Sequence, residues 1–397
     1  MRTLLRLRDV RLLGLSVFLN SVGMVGEQVV LGWLVLELTN SPLMVGLALG
    51  LRMAPMLLVG IPAGVAADRG DRRRLVQATS VGQAGASAVL GLLALLGAVE
   101  VWHLLLLTFV SGSIRALHQT ARQSYAHDLV GGAGLLDGLA LMGLAMRLGG
   151  LLGSLVAGAL IARGGPGAAY LVVAAGYLAS AGALERAGAG RRERAPTVDS
   201  AWRSVVDFLG VVRHHRVLPL LIALTAAGEA LGFSHQALLP SLARDVLGVG
   251  PAGLGAMTAA RSIGGILGIA LVTQLGQVRG SGALFLAVLA VFGGSLVALG
   301  AAPGFLSVLL ILVAANAMGA SSDVLSQSLI QLSVPGELRG RAGGAWVVAI
   351  GIGPLGQLQI GALASLAGVG IALAASGAAL VAVVAAGALC FPRLRRL

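Results

Sequence analysis

Gly60-Ile61-Pro62-Ala63-Gly64-Val65-Ala66-Ala67-Asp68-Arg69-Gly70-Asp71-Arg72-Arg73-Arg74 closes one apolar run and opens the next. Residues 60–67 carry no charge, and residues 68–74 carry two acids and four arginines. A chain that changes character so abruptly, then turns apolar again, is leaving hydrocarbon for water and going back. Outward from this loop the same alternation repeats. Apolar segments of about 20 residues, the length that crosses a bilayer core, fall near 12–37, 42–66, 75–97, 101–124, 136–162 and 167–186. They resume near 217–243, 251–275, 283–300, 304–332, 342–366 and 368–391. The breaks carry turn residues: Thr39-Asn40-Ser41-Pro42, Gly164-Gly165-Pro166-Gly167, Gly248-Val249-Gly250-Pro251 and Pro303-Gly304. The expected fold is an all-α polytopic membrane protein with twelve transmembrane helices.

Composition excludes most alternatives. Only 11% of the 397 residues are charged and 57% are hydrophobic, whereas a soluble domain is about 25% charged. Lipid makes such a surface tolerable. The 60 glycines fit membrane helices, which associate through close backbone approach. Every basic residue is an arginine, so there is no phosphate-binding loop of the Gly-x-x-x-x-Gly-Lys type and no ATP drive within the chain. The net charge of +12 is dispersed between apolar blocks rather than gathered on one face, which argues against nucleic acid. Cys390 is the single cysteine, so neither a disulfide within the chain nor a cysteine metal site is expected. No metal-ligand spacing or Ser/His/Asp arrangement appears, so the chain is not read as an enzyme and no cofactor is expected. The basic N-terminus precedes a run too long for a signal peptide and is read as a retained first helix.

Twenty-two of the 28 arginines lie in the termini and the even-numbered connections, against Arg163 and Arg244 in the opposite loops. The positive-inside rule therefore places both termini in the cytoplasm, and the expected location is the inner membrane of a prokaryote. The polar stretch Glu185 to Arg216 divides the chain. The expected organisation is a six-helix bundle over 1–186, a cytoplasmic linker over 187–216 and a second bundle over 217–397. Within the linker, Trp202, Val205, Val206, Leu209 and Val212 share a helical face, which suits the lipid surface or an ordinary solvated helix. The halves repeat. Pro42, Gly46 and Arg52 recur as Pro251, Gly255 and Arg261 at a constant offset, and Gly158-Ala159-Leu160 recurs as Gly361-Ala362-Leu363. Two pseudo-symmetric six-helix bundles are the architecture of a secondary transporter.

The quoted loop resembles the signature loop of the major facilitator superfamily: a glycine, then Asp-Arg, then a basic pair. Its Asp-Arg-x-Asp-Arg-Arg-Arg form is similar to the branch of siderophore exporters and macrolide and multidrug efflux proteins, with Asp71 where glycine is usual. Leu36-Glu37-Leu38-Thr39-Asn40-Ser41-Pro42, Pro335-Gly336-Glu337-Leu338-Arg339-Gly340-Arg341 and Thr120-Ala121-Arg122-Gln123 resemble other loops of that branch, Thr120 replacing a proline. Gly149, Gly153 and Gly158 resemble its antiporter motif, with Ser154 in place of proline. The resemblance implies a gating loop formed by Gly60, Gly64, Asp68, Arg69, Arg72 and Arg73, its Asp68 latched to the N-terminal end of helix 11 near Gly343. It also implies alternating access and export of a small amphipathic molecule such as a drug or siderophore.

Charges inside apolar spans each cost roughly 2.5–3.5 kcal/mol on insertion scales, so their presence points to function. Glu27, Glu229 and Asp323 are the expected proton-coupling acids, Glu27 first because it lies nearest a helix centre. Arg52, Arg115, Arg147 and Arg261 are the expected substrate-cavity residues, and they lean the cargo toward anionic or zwitterionic. The bland alternative makes these acids counter-ions of the buried arginines. His235 is open to two readings, a proton relay and, the one preferred, a solvent-facing histidine at the outer end of helix 7. The partners expected are a small-molecule substrate, protons and membrane lipid, with the chain a monomer. Competing readings are a lysolipid or nutrient transporter of the same fold and a transport-dead membrane sensor.

Overall fold

The computed structural model describes residues 7–56, 71–188, 217–275, 280–334 and 339–391. Among them there is no strand. α1 runs Arg8–Thr39, with Asp9 in its first turn, where the helix dipole favours an acid. Asn40 ends it in the left-handed conformation, φ 50°, and returns its N–H to the Leu36 carbonyl. Asparagine tolerates that conformation better than most residues. α2 is described over Pro42–Met53. α3, Arg72–Leu95, is capped by Asp71, whose side chain accepts from the Arg74 N–H at 3.2 Å. The departure of Asp71 from the family's glycine thus has a local reason, since aspartate is a preferred N-cap.

A single helical run covers Val101–Ala183, interrupted at Gly131 and Gly165. It contains α4, Val101–Gly131, and a 47-residue stretch, Asp137–Ala183. At 1.5 Å per residue that stretch is about 70 Å long, twice a bilayer core. Gly165, at φ 75°, and Pro166 break it into α5 (137–164) and α6 (166–183). α7, Leu218–Val246, follows. Then come α8, Gly250–Leu275, α9, Ser281–Gly300, and α10, Phe305–Leu332. α11 is in two pieces, Arg339–Ile350 and Gly353–Ala367, and α12 is Val369–Cys390. Ten helical stretches among the described residues are long and apolar enough to cross a membrane, and Pro42–Met53 is a shorter apolar helix. Leu366 at 87% exposure, Leu96 at 77% and Leu389 at 75% face outward. Such surfaces suit acyl chains.

The chain clusters into two compact units, interleaved in sequence. The first is Met1–Asn40, Leu51–Pro196 and Gly248–Ala259; the second is Ser41–Gly50, Thr197–Leu247 and Ala260–Leu397. In the first unit glycines set the helix contacts. A Cβ on Gly149 would sit 2.3 Å from the Phe18 carbonyl oxygen, and one on Gly153 2.3 Å from that of Val22, so α5 lies backbone-to-backbone on α1. A Cβ on Gly158 would come within 2.9 Å of the Gly255 Cα. The second unit holds the counterpart: a Cβ on Gly46 would lie 2.3 Å from the Gln357 oxygen and 3.4 Å from the Gly361 Cα. These are the residues the internal repeat pairs, Gly46 with Gly255 and Gly158 with Gly361.

Candidate functional site

Glu27 sits in the middle of α1, 3% exposed, inside the first unit. Its carboxylate is held from three sides. The Ser111 hydroxyl on α4 donates to Oε1 at 2.8 Å, and the Tyr177 hydroxyl on α6 donates to Oε2 at 2.5 Å. Arg52 on α2 places Nη2 3.9 Å from Oε2, while that nitrogen donates to the Met24 carbonyl at 2.8 Å. Of the buried arginines expected as counter-ions, Arg52 pairs with Glu27; Arg147 is half-buried on α5. Arg115, one turn along α4 from Ser111, stands within electrostatic range of Glu27, Arg52 and Tyr177. Two guanidiniums and one carboxylate therefore share the cluster. The Nε atoms of Arg52 and Arg115 and the Tyr170 hydroxyl are buried without a hydrogen-bond partner.

Local sequence explains how the cluster is assembled. Tyr177 reaches Glu27 because Gly23, one turn before it, has no side chain; a Cβ there would meet the ring at 2.9 Å. Gly112 lets α4 close on α2, since its Cβ would fall 2.4 Å from the Arg52 carbonyl oxygen. Polar pairs continue the seam: Asn20 donates to Gln83 at 3.2 Å, Ser16 bonds Ser180 at 2.9 Å, and Thr79 bonds His118 at 3.0 Å.

At the end of the unit that carries Asp9, Arg72 forms a buried ion pair with Asp128 of α4. Arg73 Nη1 donates to the Glu185 and Ala187 carbonyls just past α6. Cations at a helix C-terminus complete its unpaired carbonyls. Both arginines thus brace the first unit internally. Gly60, Gly64, Asp68 and Arg69 lie outside the described residues, as do the amphipathic stretch at 202–212 and residues 335–338.

The second unit gathers its own charges. Glu229 lies in a π-helical turn, Gly228–Gly232, of α7, within electrostatic range of Asp323 on α10. Arg261 on α8 donates from Nε to the Asn316 Oδ1 at 3.2 Å. His235 corrects the sequence expectation. It is fully buried rather than solvent-facing, its Nδ1 2.7 Å from the Gly232 carbonyl and its ring edge-on to Phe292. His235 lies where α7 departs from regular helix, over 228–238, so regular helical spacing does not give the direction of its ring. Sequence reasoning also missed Ser111, Tyr177, His118, Asp128 and Asn316. Tyr177 left one usable signal, a tyrosine in the middle of an apolar span.

Buried charges on several glycine-packed helices, with apolar surface outward, suit a multi-pass membrane protein, and comparison with known proteins assigns it to the transporters of the major facilitator superfamily. The chain belongs to the transmembrane secretion effector family of that superfamily, whose profile matches residues 4–396. It is 25% identical over 346 residues to the multidrug efflux pump Tap of Mycolicibacterium fortuitum, covering 85% of this chain and 84% of that one. It is 28% identical over 339 residues to the enterobactin exporter EntS of Citrobacter koseri, covering 81% and 78%. Among solved structures, a peptide transporter in complex with sulfate superposes with a TM-score of 0.76 at 14% identity, over 98% of this chain and 95% of that one. These relatives are transporters, not enzymes.

Proposed function

We propose that this protein exports a small amphipathic molecule across the cytoplasmic membrane of a bacterium in exchange for protons, with Glu27 as the coupling acid. The observation that carries the reading is the Glu27 carboxylate, buried mid-helix yet held by Ser111, Tyr177 and Arg52. Tap and EntS, an efflux pump and a siderophore exporter by name, support the direction. Both termini face the cytoplasm in this reading, the chain acts as a monomer, and alternating access moves the N- and C-terminal bundles.

Linkage decides what cargo such an exchanger takes. Exchange requires that proton and cargo compete. An anion on Arg52 does the opposite, because protonating Glu27 removes that arginine's counter-ion and strengthens the anion's hold. A cargo exported by protons must therefore present a cationic or hydrogen-bond-donating end to Glu27. The excess guanidinium, Arg115, suits an anionic group on the same molecule, so a zwitterionic amphipath fits both. The Arg52–Glu27 pair also favours a second reading, uptake of an anionic nutrient together with a proton.

Everted membrane vesicles separate the two. With a respiration-driven proton gradient, vesicles should accumulate a zwitterionic amphipath such as a fluoroquinolone, and nigericin should abolish it. Glu27→Gln should melt somewhat lower, having lost its charged bonds, yet still bind cargo, and it should lose gradient-driven accumulation. Full accumulation by the variant would remove Glu27 from coupling and pass the role to Glu229 or Asp323. Were Glu27 merely a counter-ion, the variant would lose stability by stranding Arg52, but the fraction that folds would still accumulate cargo.

A further inference from the structure

The polar interior of the first unit extends well beyond Glu27. α3 carries Thr79, Gln83 and Ser87 at helical spacing, 4%, 0% and 1% exposed. Beside them on α4, His118 is 4% exposed, its Nδ1 3.0 Å from the Thr79 Oγ1. Thr79 shares its hydroxyl with the Leu75 and Val76 carbonyls. Gln83 accepts from Asn20 of α1 through Oε1, but its Nε2 has no partner, and neither has the Ser87 hydroxyl. Buried polar groups of this kind are ordinarily satisfied, by protein or by ordered water. At 1.5 Å per residue, His118 stands about 10 Å along α4 from Ser111, and Asp128 about 15 Å further on. The row therefore runs from the Glu27 cluster toward the end of the unit where Arg72 pairs with Asp128.

We infer that this row is the proton path serving Glu27, hydrated at Gln83 and Ser87, with His118 as its relay. The inference rests on the reading of Glu27 as the coupling acid. Imidazole is the side chain suited to relay: it takes a proton on one ring nitrogen and yields one from the other, with the Thr79 hydroxyl as the partner of Nδ1. Only N–H and O–H bonds form and break, and no electron is transferred. The charged group facing the ring is on its own helix: Arg122, within a turn of His118. α3 offers the hydroxyl of Thr79 and the backbone of Val76. Around Glu27 stand Arg52 of α2, Arg115 of α4 and Tyr170 and Tyr177 of α6.

Time-resolved infrared spectroscopy on the purified full chain tests this without knowledge of the cargo. An alkaline pH step should bleach a carboxylic C=O band, identified as Glu27 by its absence in Glu27→Gln. In His118→Gln, which can keep the bond to Thr79, the band should remain and its decay should slow by roughly a hundredfold, the low end of what a positioned proton donor contributes. His118→Gly should be equally slow and recover in added imidazole, an effect a purely structural histidine would not show. Thr79→Val, which removes the clamp but leaves the ring, should slow decay less than either. An unchanged rate in His118→Gln, or no recovery of His118→Gly in imidazole, overturns the relay and leaves Glu27's role standing. Absence of any Glu27-dependent band overturns both.

Discussion

Tyr177 and Tyr170 are both fully buried on α6 and lie near Glu27, but they are not equivalent. The Tyr177 hydroxyl donates to a carboxylate, whereas the Tyr170 hydroxyl has no partner. Hydrogen bonds to charged groups contribute about 1.5–3 kcal/mol, while deleting an unpaired buried hydroxyl is close to neutral. Tyr177→Phe keeps the ring over Gly23 and should therefore lower unfolding stability by about 1.5–3 kcal/mol. Tyr170→Phe should leave stability unchanged or raise it. Denaturant unfolding of the two variants in the same detergent makes the comparison, and equal losses would show that the Tyr177–Glu27 bond contributes nothing net.

Helix contacts turn on the same kind of detail. Gly149 and Gly153 are where α5 meets the α1 backbone, and the neighbours of a new Cβ there are carbonyl oxygens that cannot swing aside. Gly149→Ala and Gly153→Ala should each destabilise by about 1–3 kcal/mol, the usual cost of overpacking. Gly143 lies on the same helix with open space around it, and Gly143→Ala should stabilise by roughly 0.5–1 kcal/mol through helix propensity alone. Thermal melts of the three variants decide the matter; a stable Gly153→Ala would mean the helices can part without cost. Ser154, in the position where the family has proline, keeps α5 regular, its hydroxyl turned back to the Leu151 carbonyl at 2.9 Å.

For the molecule as a whole, arginine placement makes a topological prediction. With Cys390 replaced by serine, single cysteines at 41, 166, 248 and 302 should react with a membrane-impermeant maleimide on intact cells. Those at 71, 195 and 338 should react only after permeabilisation. Labelling of position 195 from outside would reverse the orientation, and with it the side from which the His118 row opens.

Hydropathy carried the spans, because 20 apolar residues in a row have few places to go but lipid or a core. The repeat paired Gly46 with Gly255 and Gly158 with Gly361, and isolated charges marked Glu27, Arg52 and Arg115 as expensive enough to need a purpose. What the sequence could not show is which faces meet. In a soluble helix the apolar stripe points inward; here the lipid side and the packed side are both apolar, so periodicity carries no address. Glu27 finds Arg52 25 positions on and Tyr177 150 positions away only because Gly23, Gly112, Gly149 and Gly153 let α1, α2, α4, α5 and α6 approach backbone to backbone. His235 was misplaced because the irregular turns of α7 do not follow from its composition. The sequence by itself determined that the chain crosses the membrane many times and where its buried charges fall; only close packing of glycine-lined helices decided which of those charges meet, because contact there depends on shape rather than on hydrophobicity.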